Sequence, residues 1–123
     1  MHRVLKPGGQ SQVVVPFCHP YHAYPADYSR FSRERLESLF SDFQNVEIGI
    51  RTGPTTTMLT FLTYYLKLFF PVHCGNPLRR AVNRLIVGAA GWAMFPLKYL
   101  DIWLNRLPNA HVLANHLYVV ARR

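Results

Sequence analysis

Residues 13–31, VVVPFCHPYHAYPADYSRF, organise the chain because a strand there runs directly into a polar loop. The three consecutive valines at 13–15 are typical of a strand covered on both faces, as in a parallel sheet. Pro16 ends this run. Ligands bind beyond the carboxyl ends of the strands in open α/β sheets, so we expect a pocket at the loop of residues 17–30.

The length and composition indicate one small globular domain. The chain has 123 residues, of which 50% are hydrophobic and 16% charged, and this excludes a disordered protein. Fourteen Lys and Arg against six Asp and Glu give a formal net charge of +8. Residues 66–123 contain eight basic side chains and one acidic side chain, and they are also strongly apolar. A segment that is both basic and apolar is more typical of binding to an anionic membrane surface than to nucleic acid. The sequence contains no signature of a nucleic-acid-binding module.

The two cysteines, Cys18 and Cys74, are far apart and belong to no CxxC pair. With no secretory signal at the N-terminus, they predict a reduced, cytoplasmic setting. Together with His19, His22 and His73 they offer metal-binding groups, but their spacing matches no standard pattern and Pro20 interrupts it. We therefore predict no metal site.

Residues 3–9, RVLKPGG, provide the first family resemblance. The heptapeptide resembles a segment of class I S-adenosylmethionine-dependent methyltransferases, type 11-like, in which it joins a helix to the fifth strand of a Rossmann-like sheet. The loop after residues 13–15 is also similar to the loop that follows this strand in a bacterial branch of the family. Its matching residues are Pro16, Phe17, His19, Pro20, Tyr21, His22, Pro25, Asp27, Tyr28, Arg30 and Phe31.

The resemblance implies a role for each polar or aromatic group of the loop. One of His19, His22 and Asp27 would take a proton from the methyl acceptor, and the substrate-binding residues would be Phe17, Tyr21, Tyr24, Tyr28 and Arg30. A structural alternative is equally open: the histidines would hydrogen-bond backbone carbonyls, and Asp27 would pair with Arg30. The acceptor itself, whether a small molecule, a lipid or a sugar, is not indicated.

The family's cofactor site has no counterpart in this sequence. The family holds S-adenosylmethionine with a glycine-rich turn after its first strand and an acidic residue after its second, and neither is present. The resemblance therefore implies the C-terminal portion of a methyltransferase, which alone would neither bind this cofactor tightly nor transfer a methyl group. Residues 1–6 resemble the last turn of a helix, which also suggests a missing upstream part.

The predicted fold class is α/β, with about three strands at residues 11–15, 44–50 and 116–121. A helix is expected at residues 32–41 behind Ser32, a good N-cap. In the second strand Val46, Ile48 and Ile50 should share one face. By resemblance, the last strand lies antiparallel between the other two. A sheet missing its earlier strands would leave an edge exposed, which favours self-association.

An apolar helical insertion, about residues 55–107, separates the second strand from the third. Helices are predicted at residues 55–70 and 78–95, with Gly88 and Gly91 permitting close helix packing. Pro96 should kink or end the second helix. Beyond it an apolar face, Leu97, Leu100, Trp103, Leu104 and Leu107, lies opposite Lys98, Asp101 and Asn105.

We expect this insertion to form a peripheral surface at the inner membrane face, or a lipid-acceptor surface, rather than to span the bilayer, since its uncharged runs are short of roughly 20 residues. The alternative is that its apolar helices pack within the protein or in a dimer. The insertion also supports an alternative function, a non-catalytic module that docks on a membrane or a partner.

Overall fold

A computed structural model describes residues 5–22, 26–73 and 75–123 of the chain. It shows a mixed α/β fold with three strands and, apart from short helical turns, three helices. The strands are β1 (Gln10–Pro16), β2 (Gln44–Thr52) and β3 (His116–Arg122). The helices are α1 (Arg33–Leu39), α2 (Pro54–Phe69), α3 (Pro77–Met94) and the single turn α4 (Asp101–Leu104), with 3-10 segments at Phe95–Leu100 and Ala110–Leu113.

The three strands form one sheet in the order β1-β3-β2, with β3 antiparallel to both neighbours. Val119 pairs with Val13 on one side and with Ile48 on the other. The predicted strand positions and the antiparallel central placement of the last strand are therefore confirmed.

The core lies between α1 and one face of the sheet. Leu36 and Phe40 at α1 pack with Leu117, Val119 and Ala121, the alternate residues of β3. The helix begins where predicted, since the Ser32 side chain accepts a hydrogen bond from the Arg35 N–H at 3.3 Å.

The expectation that the valines of β1 are covered on both faces is wrong for the chain as described. Val13 and Val15 pack against the core, but Val14 pairs with Tyr118 on the opposite face and is 46% exposed. Only one face of the sheet has α1 over it, so alternate residues of the same strand meet different surroundings.

The prediction that Val46, Ile48 and Ile50 share one face agrees with Val46 and Ile48 lining the same groove beside Glu37 of α1, but the three residues differ in burial. The register of β2 shifts between Gln44 and Glu47, where Asn45 has a φ of 49°. This irregularity leaves Val46 exposed, whereas Ile48 and Ile50 pack against the core.

The Pro-Gly-Gly turn before β1 is held by the end of β3. Gly8 has a φ of 75°, its N–H donates to the Arg123 carbonyl, and the Arg123 N–H donates to the Gly9 carbonyl. The expected helical turn at residues 1–6 falls mostly on residues 1–4, which lie outside the described residues.

Asp101 attaches α4 to the start of α2. Its carboxylate accepts hydrogen bonds from the Thr55 N–H (2.7 Å), the Thr56 N–H (3.0 Å) and the Thr56 hydroxyl (2.6 Å). A Cβ on Gly53 would meet the Asp101 carboxyl carbon at 2.6 Å and would also meet the Asn105 amide oxygen. This junction therefore requires glycine at position 53.

In the predicted amphipathic segment after Pro96, one polar residue is buried while apolar residues are exposed. Asp101 is only 8% exposed, whereas Leu97, Leu100 and Trp103 are exposed. The prediction that Gly88 and Gly91 permit close helix packing is wrong, because a Cβ on either glycine would meet no atom within 4 Å. Neither glycine serves close helix packing in the part of the chain that is described.

One helical stretch among the described residues, Pro77–Leu104 with 28 residues, is long and apolar enough to cross a membrane. The prediction that Pro96 ends the second helix is confirmed, because α3 ends at Met94 and the stretch continues as the 3-10 segment Phe95–Leu100 into α4. Length and composition alone are weak evidence, since core helices of soluble proteins meet the same criterion.

Candidate functional site

A cleft of about 230 Å³ lies where β1 ends and β3 begins. Pro16, the last residue of β1, pairs with His116, the first residue of β3, and both line the cleft. Its other lining residues come from the loop after β1 and are His19, His22, Asp27 and Arg30. The sheet thus brings a strand start and a loop together at the carboxyl end of β1.

His19 is held in one orientation by its own neighbour. Its Nδ1 lies 2.7 Å from the Pro20 carbonyl oxygen. A carbonyl oxygen only accepts hydrogen bonds, so Nδ1 carries the proton and donates it. In the neutral ring Nε2 is then unprotonated and free to accept a proton from a ligand.

Two other imidazole rings lie beside that of His19. Its ring centroid is 5.6 Å from that of His22 and 5.3 Å from that of His116. Burial, followed by the charges of His19, Arg30 and His22, lowers the pKa of His116. His116 is therefore uncharged at neutral pH. The Tyr64 ring of α2 also lies beside His19, with the two ring centroids 6.4 Å apart and the rings nearly perpendicular.

Asp27 and Arg30 form a paired clamp within the loop. Both Asp27 carboxylate oxygens accept hydrogen bonds from the Arg30 guanidinium, and one also accepts the His22 N–H at 2.9 Å. Arg30 further donates to the carbonyls of His19 and Pro20, each at 3.3 Å. The hydrogen bond from Arg30, then that from the His22 backbone, lowers the pKa of Asp27 to about 2. The carboxylate stays ionised, and the Asp27–Arg30 pair is hydrogen-bonded to the backbone of His19, Pro20 and His22.

The structure brings together four of the eight predicted site residues: His19, His22, Asp27 and Arg30. The Phe17 side chain instead packs against the core, and its N–H donates to the Asn115 carbonyl at 2.9 Å. Tyr21 and Tyr28 extend into solvent and do not line the cleft. Tyr24 lies outside the described residues.

Sequence reasoning missed His116 as a member of the cleft. It was the first residue of a strand expected to run antiparallel to β1, and in that register it meets the residue at which β1 ends. The predicted antiparallel pairing of the first and last strands could therefore have indicated His116, whereas the sequence of the loop could not.

Among the described residues, no three His, Cys, Asp or Glu side chains are arranged to hold a metal ion. Cys74, one of the metal-binding groups considered from the sequence, lies outside them. Comparisons of the chain with protein-family models, with curated proteins and with solved structures each found no match.

Proposed function

We propose that this chain forms the acceptor-binding part of an S-adenosylmethionine-dependent methyltransferase. The observation that carries the proposal is the histidine-lined cleft at the carboxyl end of β1, where the resemblance of residues 3–9 and of the following loop would place the acceptor. The central antiparallel position of β3 supports a Rossmann-like origin of the sheet, because the family resemblance implies the same arrangement.

The described residues do not fit the cofactor itself. The cleft of about 230 Å³ is smaller than ligand pockets usually are, roughly 300–1,000 Å³. Its one carboxylate, Asp27, is already bonded to Arg30 and His22. We therefore assign to this chain the binding of the acceptor and the removal of its proton.

His19 is the best placed of the three candidate proton acceptors. The Pro20 carbonyl fixes its Nδ1 proton, so Nε2 is the basic atom in the neutral ring. Asp27 is a poor base at neutral pH because Arg30 and the His22 N–H stabilise its charge. We assign Asp27 and Arg30 to positioning the loop, and His22 to the wall of the cleft.

The test is to express the chain together with the coding sequence that precedes Met1 in frame in its genome. We expect this longer protein to bind S-adenosylmethionine with micromolar affinity and to transfer labelled methyl groups to a component of a cell extract. The 123-residue chain alone should show no saturable cofactor binding in isothermal titration. Failure of the longer protein to bind the cofactor, or micromolar binding by the short chain, would refute the proposal.

The matched variants are His19→Ala and His111→Ala. His111 makes the same kind of contact, with its Nδ1 3.1 Å from the Pro108 carbonyl, but does not line this cleft. In the longer protein we expect His19→Ala to lower the rate of methyl transfer roughly 100-fold, with cofactor affinity and thermal stability retained. His111→Ala should leave the rate unchanged. Equal losses in both variants would remove His19 from the chemistry.

A second function, docking without catalysis, is favoured by a different observation. Large apolar side chains of α2, α3 and the following segment are exposed, whereas the sheet and α1 enclose their own core. In this case residues 5–22 and 26–52 would serve as a scaffold for the helices.

A further inference from the structure

Helix α2 carries an exposed apolar stripe along its length. Met58, Phe61, Leu62, Tyr65 and Phe69 recur at intervals of three and four residues and all are exposed. The hydroxyls of Thr56 and Thr57, in contrast, bond to Asp101 and to the Leu113 carbonyl. The helix therefore turns hydroxyl groups toward the protein and large apolar groups outward, the reverse of an ordinary surface helix.

Helix α3 repeats this inversion. Leu78, Leu85 and Trp92 are spaced seven residues apart and are exposed by 75%, 73% and 81%. The buried residues of the same helix are Asn83 and Val87, half a turn away from this stripe. The Asn83 side-chain amide donates to the Pro71 carbonyl at 2.9 Å. We call the exposed stripes of α2 and α3 the apolar surface.

The charges around the apolar surface have one sign. Between residues 48 and 123 the sequence contains a single acidic side chain, Asp101, and this carboxylate is buried and bonded to the start of α2. Arg79 and Arg84 are exposed on α3, beside the apolar stripe. A surface that binds another protein usually carries charges of both signs at its rim, whereas a surface that binds anionic lipid needs only positive charges.

Three further cations lie over aromatic rings. The Lys98 ammonium is 3.6 Å from the centroid of Phe95, the Lys67 ammonium is 4.8 Å from that of Tyr64, and the Arg106 guanidinium carbon is 5.7 Å from that of Trp103. Aromatic side chains and the charged ends of Lys and Arg are enriched where membrane proteins contact lipid headgroups.

We propose that the apolar surface docks on a bilayer containing anionic lipid, with α2 and α3 lying in the headgroup region. The inference goes beyond the proposed function and does not depend on it. The Pro77–Leu104 stretch stays at the surface because two contacts tie it to α2 and the turn that follows: the Asp101 carboxylate at the start of α2 and the Asn83 amide at Pro71. If this stretch alone crossed the bilayer, it would break these hydrogen bonds or carry a charged carboxylate into hydrocarbon.

Co-sedimentation of the full chain with lipid vesicles tests this. One set of vesicles contains phosphatidylcholine alone and the other contains 30% phosphatidylglycerol, a composition we choose for the assay, roughly that of an anionic leaflet. We expect binding to the anionic vesicles, at least tenfold weaker binding to the neutral ones, and release by 0.5 M salt, at which screening is strong (Debye length about 4 Å).

The matched variants are Leu85→Glu on the apolar surface and Leu39→Glu at the end of α1, where leucine is also exposed. Leu85→Glu should weaken binding about tenfold or more, while Leu39→Glu binds as the unchanged protein does. Replacing Arg84 with Gln should weaken binding about fivefold. Circular dichroism reports whether each variant remains folded.

Four outcomes would overturn the proposal. They are no vesicle binding by the unchanged chain, equal binding to neutral vesicles, equal effects of the two leucine variants, and resistance to extraction by alkaline carbonate, which indicates a spanning helix. A stable oligomer dissolved by Leu85→Glu without vesicle binding would assign the surface to a second copy instead.

Discussion

Asp101 shows how one side chain can connect two helices. Its carboxylate accepts three hydrogen bonds from Thr55 and Thr56 at the N-terminus of α2, where the helix dipole also favours a negative charge. Asp101→Asn keeps one acceptor oxygen but removes the charge. We expect a loss of about 1.5–3 kcal/mol in the free energy of unfolding, measured by urea denaturation. Asp42→Asn, the same change at an exposed turn, should lose little.

The pH dependence of this loss has a defined sign. Burial alone would raise the pKa of Asp101, but the hydrogen bonds from Thr56 and Thr55 outweigh burial and lower the pKa. The stabilisation is then present above the unfolded pKa of about 3.9 and disappears as the pH falls toward the folded value. The difference in stability between the unchanged chain and Asp101→Asn should shrink below about pH 4. A constant difference from pH 7 to pH 3 would contradict this account.

At the scale of helices and strands, Gly49 and Gly88 have opposite surroundings. A Cβ on Gly49 in β2 would lie 2.5 Å from the Tyr118 ring, whose hydroxyl donates to Glu47 at 2.7 Å. Gly49→Ala should displace this ring and cost about 1–3 kcal/mol. Gly88→Ala in α3 meets open space and should gain up to about 1 kcal/mol from helix propensity.

Urea midpoints of the two alanine variants check this pair. We expect the urea midpoint to fall in Gly49→Ala and to rise in Gly88→Ala, while the slope of the unfolding free energy against urea concentration stays the same. A destabilising Gly88→Ala would mean that α3 packs against a surface other than the one described.

The elements were predictable because their signals are local. Ser32 as N-cap, the valines of β1 and the prolines that begin or end segments act within a few residues of the structure they set. The inward turn of Asp101 and the exposure of Val46 were not predictable, since they depend on a partner 45 residues away and on a register shift in β2. The same holds for the cleft. Its loop residues could be predicted from the loop sequence alone, whereas His116 reaches the cleft only because β3 pairs with β1.

At the scale of the whole molecule, β1 leaves one edge of the sheet unpaired among the described residues. Val14→Lys places a charge on this edge strand, on the face away from the core, and should reduce self-association without loss of stability. Val13→Lys, one residue earlier, points into the core and should unfold the chain. Sedimentation velocity and circular dichroism measure the two effects. Unchanged self-association in Val14→Lys would exclude this edge as its cause.

The position of β3 between β1 and β2 also sets the order in which the nascent chain can fold. Neither outer strand has a hydrogen-bonded neighbour until residues 116–122 have been synthesised. Residues 53–115 separate β2 from β3 and take roughly 3–13 s to translate at about 5–20 residues per second. During this interval α2 and α3 are synthesised, while the sheet does not yet exist. The apolar surface of these two helices is therefore complete in the chain before the sheet of the same protein can form.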